Sequence, residues 1–193
     1  MSKRIKGLAD NFGETIGAHA GVEAQEQVME RSSVLKNGLD EEVLNWFIGA
    51  VEKLDDLVDR TTCVQIMREC GHNCAEVNKK SLQRLIAKRE KYDSLNDFLD
   101  AEIGKPSRIM RIERQGSKII QVYSPRSQGA GLRCFCGPWR NLPDEKKVSE
   151  TWCQCSAGFV EKLWEGYAAK PVRVKLLESA LQGHAECKFE IYL

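Results

Sequence analysis

Eight cysteines dominate the chemistry open to this chain: Cys63, Cys70, Cys74, Cys134, Cys136, Cys153, Cys155 and Cys187. Four stand as two Cys-x-Cys pairs, Cys134-Phe-Cys136 and Cys153-Gln-Cys155, joined by residues 137–152. On an extended segment, residues i and i+2 point to the same side. Each pair could then present two thiolates to one ion, and Cys134, Cys136, Cys153 and Cys155 together could hold a tetrahedral zinc. Neither pair bridges itself easily, since extended i and i+2 Cα atoms lie near the roughly 7 Å limit for a disulfide. The zinc-ribbon pattern is Cys-x2-Cys twice, and that turn is absent. Cys155 has a second meaning: it precedes Ser156, the expected N-cap of a helix, where unpaired amides favour thiolate. Cys155, or Cys153, is therefore a candidate nucleophile. A third meaning is plain strand cysteines without chemistry, because free cysteine is often a core residue.

Cys70-Gly-His-Asn-Cys74 offers a second candidate ligand set in Cys70, His72 and Cys74. Against it stands a core stripe, with Cys63, Met67, Cys70 and Cys74 recurring at helical spacing. Cys187 alternates with Phe189 and Ile191 and reads as core. Trp139 and Trp152 flank the segment between the pairs, with Phe135 close by. These three could wall an apolar ligand pocket under residues 137–150 as a lid, or the tryptophans could simply anchor a long loop. The histidines, His19, His72 and His184, are far apart, and His184 reads as a solvated turn residue. There is no Gly-x-Ser-x-Gly elbow, Gly-x-Gly-x-x-Gly turn or Walker loop, so neither a serine hydrolase nor a nucleotide cofactor is expected.

Lys and Arg number 29 against 28 Asp and Glu, a net charge of +1. That balance argues against a nucleic-acid partner held by bulk charge. No apolar run reaches the roughly 18–20 residues of a membrane span. Met1-Ser-Lys-Arg-Ile-Lys leads into polar residues, so no signal peptide is expected. Cysteines in such a chain point to a reducing cytoplasm, and to ligands, reactive thiols or core residues over disulfides.

The elements that must position these residues change character along the chain. Residues 1–38 carry few large apolar groups. Glu14–Arg31 reads as a weak helix offering Ile16, Val22, Val28 and Met29, so 1–38 is expected to be an N-terminal helical arm for packing, partner contact or a homodimer. Residues 39–193 read as one α+β domain, a helical half over 39–105 and a sheet half over 106–193. Asp40 is the expected N-cap of a helix carrying Val43, Leu44, Phe47, Ile48, Val51, Leu54 and Val58 at helical spacing. A second helix runs through Cys63, Ile66, Met67 and Cys70 to a break at Gly71-His72-Asn73. Helices from Val77 to Lys91 and from Ser94 follow, with Gly104-Lys105-Pro106 as the stop. Arg108–Arg114 and Lys118–Tyr123 then predict a hairpin. After a flexible loop at Ser124–Gly131 come a short strand at Leu132–Cys136, a loop, and a strand at Thr151–Cys155. A crossover helix from Ser156 carries Phe159, Val160, Leu163, Trp164 and Tyr167. Val172–Leu176 and Ala185–Leu193 alternate as a closing antiparallel hairpin. The sum is N-terminal helices packed on an antiparallel sheet.

The stretch Trp152–Leu193 resembles the C-terminal half of 4-vinyl reductase domains. The shared pattern is a cysteine before a small-residue turn, Gly158-Phe159 opening a helix, Lys170-Pro171-Val172, Glu178, Gly183, and Cys187 two residues before Phe189. The resemblance implies a small-molecule-binding module related in fold to haem-NO-binding and TRAPP-type domains. Such sequences often carry a cysteine just after the strand glutamate, where this chain has Glu178-Ser-Ala-Leu181, so a site using that position is incomplete. Cys70–Trp139, with CGHNC and CFCGPW, resembles a neighbouring uncharacterised Cys-rich bacterial family. The closing Gly-x-x-x-Cys-x-Phe is similar to aminothiazoline-carboxylate hydrolases. Three readings stay open: a cytoplasmic small-molecule-binding domain with a Cys-rich pocket and a structural zinc, a thiol-dependent hydrolase or reductase using Cys155 or Cys153, and a non-catalytic assembly module.

Overall fold

Polar caps and apolar stripes set the helical half of the chain. The computed structural model describes residues 3–38, 40–105, 107, 109–125, 132–140 and 142–193, without the side chains of Lys3 and Arg4. Helices α1 (Lys3–Val28), α2 (Val34–Asn37), α3 (Asp40–Leu57), α4 (Arg60–Val77), α5 (Lys79–Arg89) and α6 (Leu95–Glu102) come first. Asp40, Glu41 and Glu42 complement the α3 dipole. The Asp59 carboxylate accepts the Thr61 and Thr62 N–H groups at the start of α4. Ser94 and Asp97 form a reciprocal capping box on α6.

Helix α1 starts well before Glu14 and kinks at Gly21, whose φ of +88° suits glycine. Its buried face is Ala9, Phe12 and Ile16, while Val22, offered by the sequence for the core, is 65% exposed. Phe12 and Ile16 pack with Phe47, Val51 and Leu54 of α3 and Ile66, Met67 and Cys70 of α4 in one core cluster.

The sheet half is β1 (Met110–Gln115), β2 (Lys118–Tyr123), helix α7 (Gln154–Ala168), β3 (Arg173–Glu178) and β4 (Cys187–Tyr192). All neighbours are antiparallel, in the order β1-β2-β4-β3. The register Ile112↔Gln121↔Phe189↔Leu176 puts these side chains on one face. That face packs Ile112, Ile119, Phe189, Ile191 and Val174 against α7 and α6 in a second core cluster. The other face carries ion pairs, Lys118–Glu190 at 2.8 Å and Lys188–Glu178 at 3.1 Å among them. The α+β architecture expected from the period change is the one observed.

Three local expectations are corrected. Gly71-His72-Asn73 is not a break: α4 runs through it, because α7 crosses there at backbone contact. A Cβ on Gly71 would lie 2.1 Å from the Cys155 carbonyl oxygen, and one on Gly158 would lie 2.2 Å from that of Arg68. These glycines are what close approach of two helices demands. Second, Leu132–Cys136 is not a strand. The Arg133 N–H donates to the Arg140 carbonyl at 2.8 Å, closing a local loop instead of joining the sheet. Third, Thr151–Cys155 is not a strand but a 3-10 turn, Glu150–Cys153, running into α7. Its start is anchored on α3, with Asp55 accepting hydrogen bonds from Ser149 and from Thr151, the latter at 2.6 Å. Most of the Ser124–Gly131 loop lies outside the described residues, as do Pro106 and Arg108.

Candidate functional site

The two corrected segments carry the two Cys-x-Cys pairs, so neither pair has the same-side geometry of a strand. Cys153 ends the 3-10 turn and Cys155 lies in the first turn of α7. The Cys153 Sγ is 2.9 Å from the buried Ser179 Oγ. Burial pushes its thiol up to about 12, with Cys187 and Cys134 adding to the shift. Cys155 sits at the α4–α7 crossing. Burial pushes its thiol well above the ordinary value, and Cys136, Cys70, Cys74 and Cys134 act in the same direction. The charges that act on the two thiols differ in part: Cys187 and Cys134 act on Cys153, and Cys136, Cys70, Cys74 and Cys134 act on Cys155. At Cys155, where the sequence offers a thiolate favoured by the amide dipoles, desolvation acts the other way and pushes the thiol up.

Cys134 acts electrostatically on both Cys153 and Cys155. Burial raises its thiol, while the Cys136 and Phe135 amides and the Arg133 and Arg140 charges oppose the rise. The Cys136 N–H donates to the Cys134 Sγ at 3.4 Å. Arg133 itself is 3% exposed. It donates to the Pro143 and Leu181 carbonyls at 2.9 and 3.2 Å. Its carboxylate is Asp144 at 3.3 Å, whose side chain is 72% exposed. The Arg133 Nε is buried without a hydrogen-bond partner.

Cys187 accepts the Ala180 N–H at 3.3 Å, and burial pushes its thiol up to about 11. Cys70 is buried under α1: burial pushes its thiol up to about 12, with Thr15 hydrogen-bonded to it. Cys63 stays a core thiol, its S–H on the Leu54 and Val58 carbonyls. His72 turns away from its flanking cysteines. Its Nε2 lies 3.1 Å from Glu161 and its Nδ1 3.3 Å from Glu69. Burial alone would raise Glu161, but His72 and Arg68 outweigh it and hold the carboxyl below its ordinary value. All eight cysteines are thiols. Among the described residues, no group of three or more His, Cys, Asp or Glu side chains is placed to hold a metal ion.

Trp139 and Trp152 act as anchors. Their centroids are 5.1 Å apart, Phe47 lies 6.0 and 5.8 Å from them, and Phe12 is 5.7 Å from Trp152. These contacts, edge-on except for the tilted Phe12–Trp152 pair, pin the Cys134–Cys136 loop and the entry to α7 on α1 and α3. Phe135 is half-buried, 6.3 Å from Tyr123. Sequence reasoning missed Arg133, Ser179 and Phe12, and it placed Phe47 on the α3 stripe without its contacts to the two tryptophans. Only the adjacency of Arg133 to Cys134 could have signalled one of them. A groove of about 410 Å³ between α1, α2 and α3, lined by Val28, Arg31, Trp46, Gly49 and Lys53 among others, includes none of the cysteines.

A family model described as a family of unknown function, DUF6144, matches residues 10–193. Its description names neither the 4-vinyl reductases nor the aminothiazoline-carboxylate hydrolases. No curated protein matches the chain. One solved structure that the chain is similar to is that of the Fe(II) unliganded H-NOX protein from K. algicida. The two share 13% identity at a TM-score of 0.48, over 95% of this chain and 93% of that one. No helix among the described residues is long and apolar enough to cross a membrane.

Proposed function

We propose that this chain, which belongs to the DUF6144 family of unknown function, is a small-molecule-binding domain. Its recognition surface is the thiol-rich seam between α4, residues 132–136 and the start of α7. The observation that carries this reading is one packed cluster that holds Cys70, Cys153 and Cys155 with Trp139 and Trp152 and has Cys134 and Cys136 packed against it, three separate stretches of chain contributing thiols to one core. Sulfur is polarizable and apolar as a neutral thiol, so such a seam suits soft ligands that bond or pack against sulfur. Half-exposed Phe135 and the buried Trp139 and Trp152 give it an aromatic border. Burial holds Cys153 and Cys155 as thiols at neutral pH, and this reading gives them a lining role over a nucleophilic one.

Phenylarsine oxide tests it, because its arsenic takes two neighbouring thiols and releases one water. The folded, reduced chain is expected to bind it with loss of two titratable thiols per arsenic and a rise in unfolding midpoint. Cys136→Ser should weaken uptake. A folded chain that takes up none, while the urea-unfolded chain does, removes the reading.

A further inference from the structure

We propose that the outward face of α5 is a docking surface for an anionic lipid bilayer. The surface involves none of the cysteines and stands apart from the thiol seam. Net charge hides it. Residues 79–91 hold six Lys and Arg against one Glu, which leaves the rest of the chain at −4. The acid is concentrated elsewhere: residues 40–59, on α3 and just beyond it, carry seven Asp and Glu against one Lys. Helices α3 and α5 belong to different cores.

Helical periodicity sets the basic residues in a row. Lys80, Arg84 and Lys88 recur every fourth residue, about 6 Å apart along the axis. All three are exposed, as is Lys91 in the turn after α5. The row lies opposite the buried Leu82. Ile86 seats the helix on α7, where a Cβ on Gly166 would lie 2.3 Å from it. Lys79 pairs with Glu76 at 3.3 Å, and Arg89 donates back to the Tyr92 carbonyl at 2.6 Å. Lys80, Arg84, Lys88 and Lys91 make no ion pair or side-chain hydrogen bond among the described residues. Like charges four apart repel on a helix, and α5 has no acid of its own to offset them. A negative field from outside relieves that repulsion.

The shape of the row selects the polyanion. A convex helix face presents all its cations at once to a flat field of headgroups, and each Lys or Arg near an anionic leaflet strengthens binding about fivefold. Single-stranded nucleic acid is held in a groove with aromatic platforms, whereas the outward residues between these cations are Gln83 and Ala87. Duplex DNA calls for a basic excess over the whole domain, and the remainder of this chain is acidic. Val77, the last residue of α4 and 85% exposed, adds an apolar side chain three residues before Lys80 that a headgroup layer accepts. Salt confines the field to about 8 Å, so the row next to the surface is attracted and the acidic remainder faces away.

The test is co-sedimentation of the full chain with vesicles of equal parts phosphatidylglycerol and phosphatidylcholine, beside vesicles of phosphatidylcholine alone. Binding to the mixed vesicles is expected at low salt and weakens as salt rises, with none to phosphatidylcholine alone. Lys80→Gln, Arg84→Gln and Lys88→Gln combined should lower the partition coefficient about 100-fold. Lys6→Gln, Lys36→Gln and Lys147→Gln combined remove the same charge from exposed sites elsewhere. That control should leave the coefficient within about threefold. Glutamine keeps the helix propensity of the residues it replaces, and far-ultraviolet dichroism checks that each variant is folded. Equal loss in the two triple variants makes the attraction one of bulk charge and overturns the surface. Equal binding to phosphatidylcholine alone, or no binding to either vesicle, overturns it too. Tighter binding to a mixed-sequence DNA duplex than to the mixed vesicles replaces the bilayer with nucleic acid.

Discussion

Reactivity at the thiols is decided by a contest between burial and local charge, and burial prevails at Cys134, Cys153 and Cys155 alike. Cys153 and Cys155 lie behind the turn into α7, where water cannot solvate a thiolate. With the Cys153 thiol pushed up to about 12, only roughly one molecule in 10⁵ carries the thiolate at pH 7. Iodoacetamide should therefore leave Cys153 and Cys155 unlabelled in the folded protein at pH 7 and modify them only on unfolding. Mass-spectrometric mapping checks this, and native labelling of Cys155 faster than of core Cys63 would show that the dipole wins after all. Cys134 is held between two amides and two guanidiniums that partly offset its burial. Its spacing from Cys136 was legible in the sequence. The amide donated back to its sulfur was not, because that depends on the loop closed by Arg133 and Arg140.

Elements meet here through residues that carry no chemistry of their own. The α4–α7 crossing rests on Gly71 and Gly158, and a methyl at either would overlap a carbonyl oxygen. Gly71→Ala or Gly158→Ala should cost about 2 kcal/mol or more despite the better helix propensity of alanine. Gly49, mid-helix on α3, has nothing within 4 Å of its would-be Cβ. Gly49→Ala should stabilise by about 0.5–1 kcal/mol. Urea midpoints of the three variants separate glycine kept for contact from glycine kept for none. The sheet has its own clamp: Arg111 on β1 reaches across β2 to grip Glu186 with two hydrogen bonds at 2.7 and 2.8 Å, and Ser124 also donates to that carboxylate. The Arg111 guanidinium, opposed in part by burial and helped by Ser124, holds the Glu186 carboxyl down to about 2. A folded value below the unfolded one means the stabilisation is complete above about pH 5 and is lost as pH falls toward 2. The pair is partly solvated, so the contribution is about 1–2 kcal/mol after screening. Glu186→Gln should flatten the fall in stability between those pH values, measured by denaturant midpoints.

At the scale of the whole molecule, the thiol seam follows the border between two cores. One joins α1, α3, α4 and the Trp139–Trp152 segment, and the other joins the sheet, α5, α6 and α7. Helix α1 closes the first: Phe12 and Ile16 are fully buried, and Asn11 and Thr15 hydrogen-bond at Cys70. Phe12→Ala should therefore cost about 3–5 kcal/mol and expose Cys70 to labelling. An unchanged unfolding midpoint would mean that α1 is a dispensable arm. The composition of residues 1–38 concealed this, since one phenylalanine and small residues at helical spacing make a weak stripe by count and a tight one by fit.

What the sequence determined by itself is local and periodic. The stripe from Val43 to Val58 can only be an amphipathic helix, and alternation in 172–176 and 185–193 makes paired strands. The period change after Pro106 makes the fold α+β, because side-chain repeats of 3.6 and 2 bury different faces. The candidate cysteines were likewise visible as types and spacings. Tertiary structure alone decided that α4 runs through Gly71, since only the approach of α7 gives that glycine its reason. It also decided that Thr151 joins a turn held by Asp55, a partner on a distant helix. Which thiols face one another follows from both, because a cysteine's neighbours and its solvation are set by segments far away in the chain.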